Sequence, residues 1–252
     1  MELGVVGDGA LADCVHEGAA AKDAAVTRGS ASDVLDADPE AVVAVGESAL
    51  LALIRGGLDA PVLPIDAGPG YGGVSENDAT DESDAIAAVG ALLAGEFDTD
   101  SRTVLDVSVG GERAGRALAD VMLVTTEPAR ISEYAVQSGD RLVEQFRADA
   151  VVVSTPTGSH GYGRSAGGPL LDPGSGVVGV VPVAPFAVNA DHWVLSADRP
   201  VTLSVERDEG EVSLLLDDRT VSEVPLHTPV EVSADGTIPV VRLAESRPFF
   251  ER

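Results

Sequence analysis

The hydrophobic pattern of this 252-residue chain changes period near Thr103, so one kind of sheet cannot accommodate both halves. Before that point Leu3-Gly4-Val5-Val6, Ala41-Val42-Val43-Ala44-Val45 and Pro61-Val62-Leu63-Pro64-Ile65 are short, continuous apolar runs. Strands take that form when helices cover both faces of a parallel sheet. Alanine-rich stretches separate the runs. The clearest helix is predicted over residues 83–97, where Ile86, Val89, Leu93 and Phe97 recur at helical spacing. It follows Asp81, Glu82 and Asp84, acidic residues that suit the positive end of a helix. Beyond Thr103 apolar and polar residues alternate, as in Val201-Thr202-Leu203-Ser204-Val205-Glu206, Glu211-Val212-Ser213-Leu214 and Val230-Glu231-Val232-Ser233. Turns are predicted at Ser138-Gly139-Asp140, Asp208-Glu209-Gly210 and Ala234-Asp235-Gly236. The pattern predicts α/β plus β: a three-layer α/β domain over residues 1–100 and a mainly-β domain over 101–246. The length allows each to bury a core.

Charge narrows the list of partners. The chain holds 42 acidic residues against 16 basic ones, a formal net charge of -26, and Lys22 is its only lysine. At molar salt the Debye length shrinks to roughly 3 Å, which removes most of the self-repulsion such a surface carries in dilute buffer. The composition therefore reads as adaptation to high salt, the alternative being an acidic cytosolic protein of an ordinary cell. It also argues against nucleic acid and anionic membrane as partners, because nothing neutralises a row of phosphates. A phosphate-bearing ligand has to be held locally, by backbone amides, a few arginines such as Arg164, or a metal ion. Cys14 stands alone, which excludes an intrachain disulfide and a cysteine-based zinc cluster. His16, His192 and His227 lack ligand-like spacing and read as structural. Without a visible signal peptide or spanning apolar stretch, a cytoplasmic protein is expected.

The strongest site signal follows the apolar run Ala150-Val151-Val152-Val153. There Ser154-Thr155-Pro156-Thr157-Gly158-Ser159-His160-Gly161-Tyr162 and Ser165-Ala166-Gly167-Gly168-Pro169 bring hydroxyls, turn formers and close-approach glycines together at a strand end. The alternative reading is a structural turn without a ligand. A second strand-turn-helix signal, Gly7-Asp8-Gly9-Ala10-Leu11, lies early in the chain and reads mainly as an ordinary Asp-Gly turn.

The segment around Thr155 resembles the TPTGS signature of the NAD kinase family. Val45-Gly46-Glu47-Ser48 with Ala49-Leu50-Leu51 occupies the place of that family's GGDG-T-L-L motif, and Pro61-Val62-Leu63-Pro64-Ile65-Asp66-Ala67-Gly68 is similar to its PVLGINAG segment. Ala117-Leu118-Ala119-Asp120 stands where the family has A-L-N-E, and Ala148-Asp149-Ala150 where it has G-D-G. The resemblance implies a Rossmann-like first domain, a β-sandwich-like second domain, and a tail, residues 247–252, that returns to the first. It also implies a homodimer or homotetramer with the β domain at the contacts.

The activity implied is phosphoryl transfer from ATP or polyphosphate to the adenosine ribose 2′-hydroxyl of NAD, with Mg2+ accompanying ATP and NADP as product. By resemblance Glu47 takes the base role that the family gives to the GGDG aspartate. Gly46, with Ser48 beside it, would meet phosphate. Asp66, Asp120, Asp149, Thr155, Thr157, Gly158, Ser159, His160 and Tyr162 would surround the dinucleotide, Thr155 and Thr157 shaping the loop. Glu47 is longer than aspartate by a methylene, and its other reading is simply the first residue of a helix. Asp120 and Ala119 replace a glutamate and an asparagine, and Asp120 also reads as a solvated strand-end residue. His160-Gly161 replaces Thr-Ala before the tyrosine and so puts a ring at a ligand-facing position. The rival functions are a catalytically silent paralogue that binds a dinucleotide or nucleotide as a sensor or subunit, and a related kinase acting on another hydroxyl. No residues are assigned to a metal.

Overall fold

A computed structural model describes residues 1–74, 82–187 and 190–250. The chain divides into two compact units: Met1–Arg102 with Ile238–Arg252, and Thr103–Thr237. The sequence-based boundaries stood at residues 100 and 246.

Unit 1 begins with β1 (Glu2–Val6), α1 (Gly9–Ala20), β2 (Ala25–Gly29), α2 (Ala31–Asp36), β3 (Ala41–Val45), α3 (Glu47–Arg55) and β4 (Val62–Ile65). Helix α4 (Glu82–Ala94) and the start of β5 (Asp98–Val109) follow. The strands are parallel in the order β2-β1-β3-β4. Their apolar runs are buried as continuous runs should be: Leu3, Val5, Val43, Leu63 and Ile65 form one core with Val15, Val89 and Leu92. Helix α1 packs against α4 and α2 against α3, giving the layers a parallel sheet requires.

Helix α4 ends earlier than predicted, at Ala94, and Gly95 follows at φ +73°. The predicted stripe faces the core: Val89 is fully buried, and Leu93 and Phe97 pack against the same cluster. The buried face also takes in Ala85, Ala88 and Leu92, which join Val15 and Ala19 of α1. Small alanines allow the two helices to approach closely. Phe97 lies beyond the helix, and Asp81 is outside the described residues. No helix among the described residues is long and apolar enough to cross a membrane.

Unit 2 takes the rest of β5, then β6 (Glu112–Ala117), β7 (Asp120–Thr125), β8 (Ser132–Ser138), β9 (Arg141–Ala148) and β10 (Ala150–Ser154). A short α5 (Tyr162–Ser165) precedes β11 (Val177–Val183), β12 (Trp193–Ser196), β13 (Val201–Arg207), β14 (Val212–Leu216), β15 (Arg219–Glu223) and β16 (Val230–Arg242). One antiparallel sheet runs β12-β11-β10-β7-β14-β15, and in the other β13 lies between β8 and the first residues of β16. Leu123, Val151, Val153 and Leu214 from the first sheet share a core with Tyr134, Val136, Leu203 and Val205 from the second. The alternation predicted for β13 is present, with Val201, Leu203 and Val205 buried and the residues between them half-exposed. Ala234-Asp235-Gly236 does not end a strand. Gly236 takes φ +78° and β16 continues to Arg242, where it pairs through Val240 with Val62 of β4.

The largest fully buried side chain is Tyr134. Burial pushes its phenol above the ordinary value, which keeps it protonated. The hydroxyl lies 3.0 Å from Thr125 Oγ1 and 3.3 Å from the Asp149 carbonyl, and Thr125 Oγ1 donates to Ser132 Oγ at 2.9 Å. Removing only the hydroxyl, by Tyr134→Phe, is expected to cost about 1 kcal/mol, because the Asp149 carbonyl keeps the Thr125 amide at 2.9 Å. Tyr134→Ala leaves a cavity and is expected to cost about 3–5 kcal/mol. Denaturant titration at constant salt checks both, and equal losses would mean that the ring contributes nothing.

Candidate functional site

In unit 1 three strand ends meet on one edge. Val6 is in register with Ala44 and Val45 with Ile65, so the turns after β1, β3 and β4 share the C-terminal edge of the parallel sheet. Strand order reverses between β1 and β3, and ligands of open α/β sheets bind at such a switch point. Gly7-Asp8-Gly9 lies on one side of it and Gly46-Glu47-Ser48 on the other. Gly46 has φ +87° and open space where a Cβ would be. No side chain caps the start of α3. Its first amides and the positive end of its dipole are therefore available to an anion.

Glu47 is the first residue of α3, as the structural reading expected, and it also has a specific partner. Its Oε1 accepts a hydrogen bond from Tyr71 Oη at 2.7 Å. Tyr71 is 8% exposed, so a buried ring holds the end of a side chain that is otherwise exposed. Ser48 is exposed in the same turn. Asp66 is exposed at the end of β4 with φ +54°, a left-handed conformation that costs a non-glycine residue energy. Its amide donates to the Val74 carbonyl at 2.8 Å.

In unit 2 the loop after β10 is fastened to the start of β7. Thr155 Oγ1 donates to the Leu118 carbonyl at 2.6 Å and accepts from the Gly158 amide at 3.2 Å. The Thr155 amide donates to the Ala119 carbonyl at 2.9 Å. Gly158 opens a 3-10 turn, Gly158–His160, and a Cβ there would run into the Ala119 carbonyl. Ser159 Oγ donates to the Pro156 carbonyl at 2.6 Å and accepts from the Leu171 amide at 3.1 Å. Thr155, Thr157, Gly158 and Ser159 are all buried, and the hydroxyls of Thr155 and Ser159 hold the loop in place. His160 is half-buried, Arg164 is exposed, and Tyr162 is 55% exposed. Asp120 is buried at 4% exposure, opposite Ser154 in register, with its Oδ2 near Gly161.

Asp149 lies apart from this group. It precedes β10, the loop follows it, and the intervening rise of strand is about 20 Å. Its side chain is exposed, while its backbone bonds to Thr125 and Val183.

Two residues that organise these groups escaped the sequence reading. Tyr71 is one; the only signal for it is a single large side chain inside the glycine-rich run Gly68-Pro69-Gly70-Tyr71-Gly72-Gly73. Asp217 is the other. It sits between β14 and β15 at φ +51° and 8% exposure. Its carboxylate accepts from the amides of Leu118 at 3.0 Å, Ala119 at 2.8 Å and Asp120 at 3.1 Å. Among the described residues no group of three or more His, Cys, Asp or Glu is placed to hold a metal ion.

The ATP-NAD kinase C-terminal domain family matches residues 118–241. The NAD kinase of Methanoculleus marisnigri is 30% identical over 224 residues, covering 89% of this chain and 80% of the relative. That of Methanosarcina barkeri is 34% identical over 149 residues, 59% of this chain and 54% of the relative. The chain spans about half the length of the Methanosarcina relatives it matches. Among solved structures, an NAD kinase from Archaeoglobus fulgidus in complex with ATP superposes with a TM-score of 0.76 at 20% identity, covering 97% of this chain and 95% of its own. Yeast NADH kinase complexed with NADH superposes at 0.80 and 14% identity, covering 97% and 84%. At those identities the superpositions establish the fold.

Asp217→Ala removes three charge-assisted bonds from buried amides and is expected to cost about 3 kcal/mol or more. Asp217→Asn keeps one acceptor and the left-handed turn, so it costs less. Burial outweighs the three amides and raises the Asp217 carboxyl above its ordinary 3.8. A raised carboxyl binds its proton first in the folded state, so its contribution to stability grows as pH falls through the folded value and is complete below 3.8. The stability difference between wild type and Asp217→Asn should accordingly shift in favour of wild type on acidification. Denaturant titrations at several pH values, all at high salt, check the sign.

Proposed function

The chain belongs to the NAD kinase family, and we propose that it transfers the terminal phosphoryl group of ATP, or of polyphosphate, to the 2′-hydroxyl of the adenosine ribose of NAD, producing NADP. The observation that carries this reading is the Glu47 carboxylate, held by Tyr71 at 2.7 Å at the uncapped start of α3. A ribose hydroxyl needs a proton acceptor as its oxygen attacks phosphorus, and Glu47 offers one. Tyr71 fixes the longer side chain, which limits the misplacement that the extra methylene would otherwise cause. In the proposed step the hydroxyl oxygen bonds to the terminal phosphorus, the bridging P–O bond breaks, the proton passes to Glu47, and ADP departs with the bond pair. Gly46, Ser48 and the first amides of α3 receive phosphate. Magnesium arrives as part of the MgATP substrate.

Unit 2 is proposed to recognise the dinucleotide. Tyr162 offers an exposed ring for stacking, and Arg164, which has no ion pair among the described residues, offers a cation. His160 and Asp120 border the same loop, and Asp66 supplies a carboxylate in unit 1. Asp149, at the far end of β10, is assigned to a different part of the ligand from the one that Tyr162 meets. We further propose that the protein works in the cytoplasm of a salt-adapted cell as a homodimer or homotetramer.

Glu47→Gln is expected to lower turnover by on the order of 100-fold or more while leaving NAD affinity nearly intact. The assay is NADP formation from NAD, magnesium and ATP or polyphosphate in molar KCl. Equal NADP yields from wild type and folded Glu47→Gln would remove the kinase reading in favour of a silent dinucleotide binder.

NAD or NADP should raise the melting temperature by mass action, and Tyr162→Ala should reduce that rise. No shift with either dinucleotide at millimolar concentration would leave the unit 2 loop without its assigned ligand.

Dialysis to about 10 mM salt, where the Debye length is roughly 30 Å, should unfold or dissociate the protein. Unchanged circular dichroism and sedimentation there would refute the adaptation to salt.

A further inference from the structure

Arg102 carries a buried charge with too few acceptors. Its side chain is 3% exposed, and among the described residues neither Nε nor Nη1 has a hydrogen-bond partner. Nη2 has Asp100, at 3.7 Å, and that carboxylate is shared with Arg242 Nε at 3.3 Å. Burial pulls the guanidinium below its ordinary value, with Asp100 offsetting only part of the effect. Phe249 covers one face, 4.8 Å from ring centroid to guanidinium carbon. A desolvated guanidinium left with unmet donors is costly, and such groups are ordinarily satisfied by an acceptor.

The same arginine lines a cavity of about 340 Å³ in unit 1. Arg242, Arg247 and Ser246 line it too, together with the glycine pair Gly72 and Gly73. Three of the sixteen basic residues in a chain of net charge -26 thus surround one cavity, and among the described lining residues Asp100 supplies the one carboxylate. Arg242 is already occupied by Asp98 at 3.1 Å and by Asp100, which leaves Arg102 with the unmet donors. Ser246 Oγ accepts from the Leu243 amide at 2.8 Å, so its own hydrogen remains available to a ligand. A Cβ on Gly72 would stand 3.4 Å from Arg102 Nη2, so this glycine borders the guanidinium directly.

We propose that this cavity binds a small oxyanion, the phosphate or carboxylate group of a compact metabolite, with Arg102 as its principal donor. The planar guanidinium fork matches both groups in bidentate fashion. The volume lies near the lower end of the roughly 300–1,000 Å³ range of small-molecule sites, which leaves room for a short body attached to the anion. Phe249 lies over one face of the guanidinium, whereas the donors of the fork lie in its plane. No residue of α3 lines the cavity, and the proposal does not rest on the kinase chemistry.

Isothermal titration with inorganic phosphate and, separately, malonate tests the proposal, in molar KCl at constant ionic strength. At least one of the two should bind wild type saturably, and the preferred probe identifies the anion as phosphate or carboxylate. Arg102→Met should weaken that binding by about tenfold or more, and Arg247→Gln should weaken it measurably. Arg247 is half-buried, so its variant keeps the test usable if Arg102→Met fails to fold. Glu47→Gln should leave this binding unchanged, which separates it from phosphate held at α3. The proposal is overturned if neither probe gives saturable heat, or if Arg247→Gln and a folded Arg102→Met both bind as wild type does.

Discussion

One carboxylate holds the frame of unit 2. The amides of Leu118, Ala119 and Asp120 all point at Asp217, while the carbonyls of Leu118 and Ala119 are taken by Thr155. The short segment entering β7 is therefore gripped from both sides, and the loop that follows β10 is positioned against it. Burying a carboxylate at 8% exposure is expensive unless its oxygens are satisfied, and here three backbone donors satisfy them. The hydroxyl of Thr155 is consumed in the same fastening, and that of Ser159 is engaged within the loop and with Leu171. The exposed groups beside it are the Tyr162 ring and the Arg164 guanidinium, with His160 half-buried.

Unit 1 solves a different problem. Strands β3 and β4 carry no polar side chains, as expected of strands covered by helices on both faces. Polar function is confined to the turns at one sheet edge, where helix starts and left-handed backbone occur. Glu47 at the head of α3 and Asp66 at φ +54° are products of that confinement. In so acidic a chain, a phosphate at this edge relies on amides and a helix dipole, which carry positive potential without the lysines the sequence lacks.

The features legible in the sequence were those encoded locally. The continuous apolar runs of β1, β3 and β4, the alternation of β13, and the position of the loop after β10 all follow from residues within a few places of one another. Tyr71 and Asp217 were illegible for the opposite reason: their partners lie 24 residues away in one case and 97 to 99 in the other. The bulky stripe of α4 was legible, whereas Ala85 and Ala88 gave no signal of their own, and only the approach of α1 shows that they are covered too. The turn at Ala234-Asp235-Gly236 was misread because a left-handed glycine can lie within a strand as well as at its end. The hydroxyls of Thr155 and Ser159 were legible as a cluster, but their inward orientation depends on the Leu118 and Ala119 carbonyls before β7 in one case and on Pro156 and Leu171 in the other.

The chain leaves unit 1 at Arg102 and comes back to it at Ile238. During synthesis β4 is made early, and its partner Val240 emerges only after the whole of unit 2. At the roughly 5–20 residues per second of translation, the edge of β4 at Val62 waits on the order of ten seconds for its neighbour, while the Ile65 end is paired early by Val74. An unpaired edge of that kind is a template for wrong pairing with other chains. The fold thus places a timing demand on the cell, which has to shield a half-finished sheet until the last strand arrives.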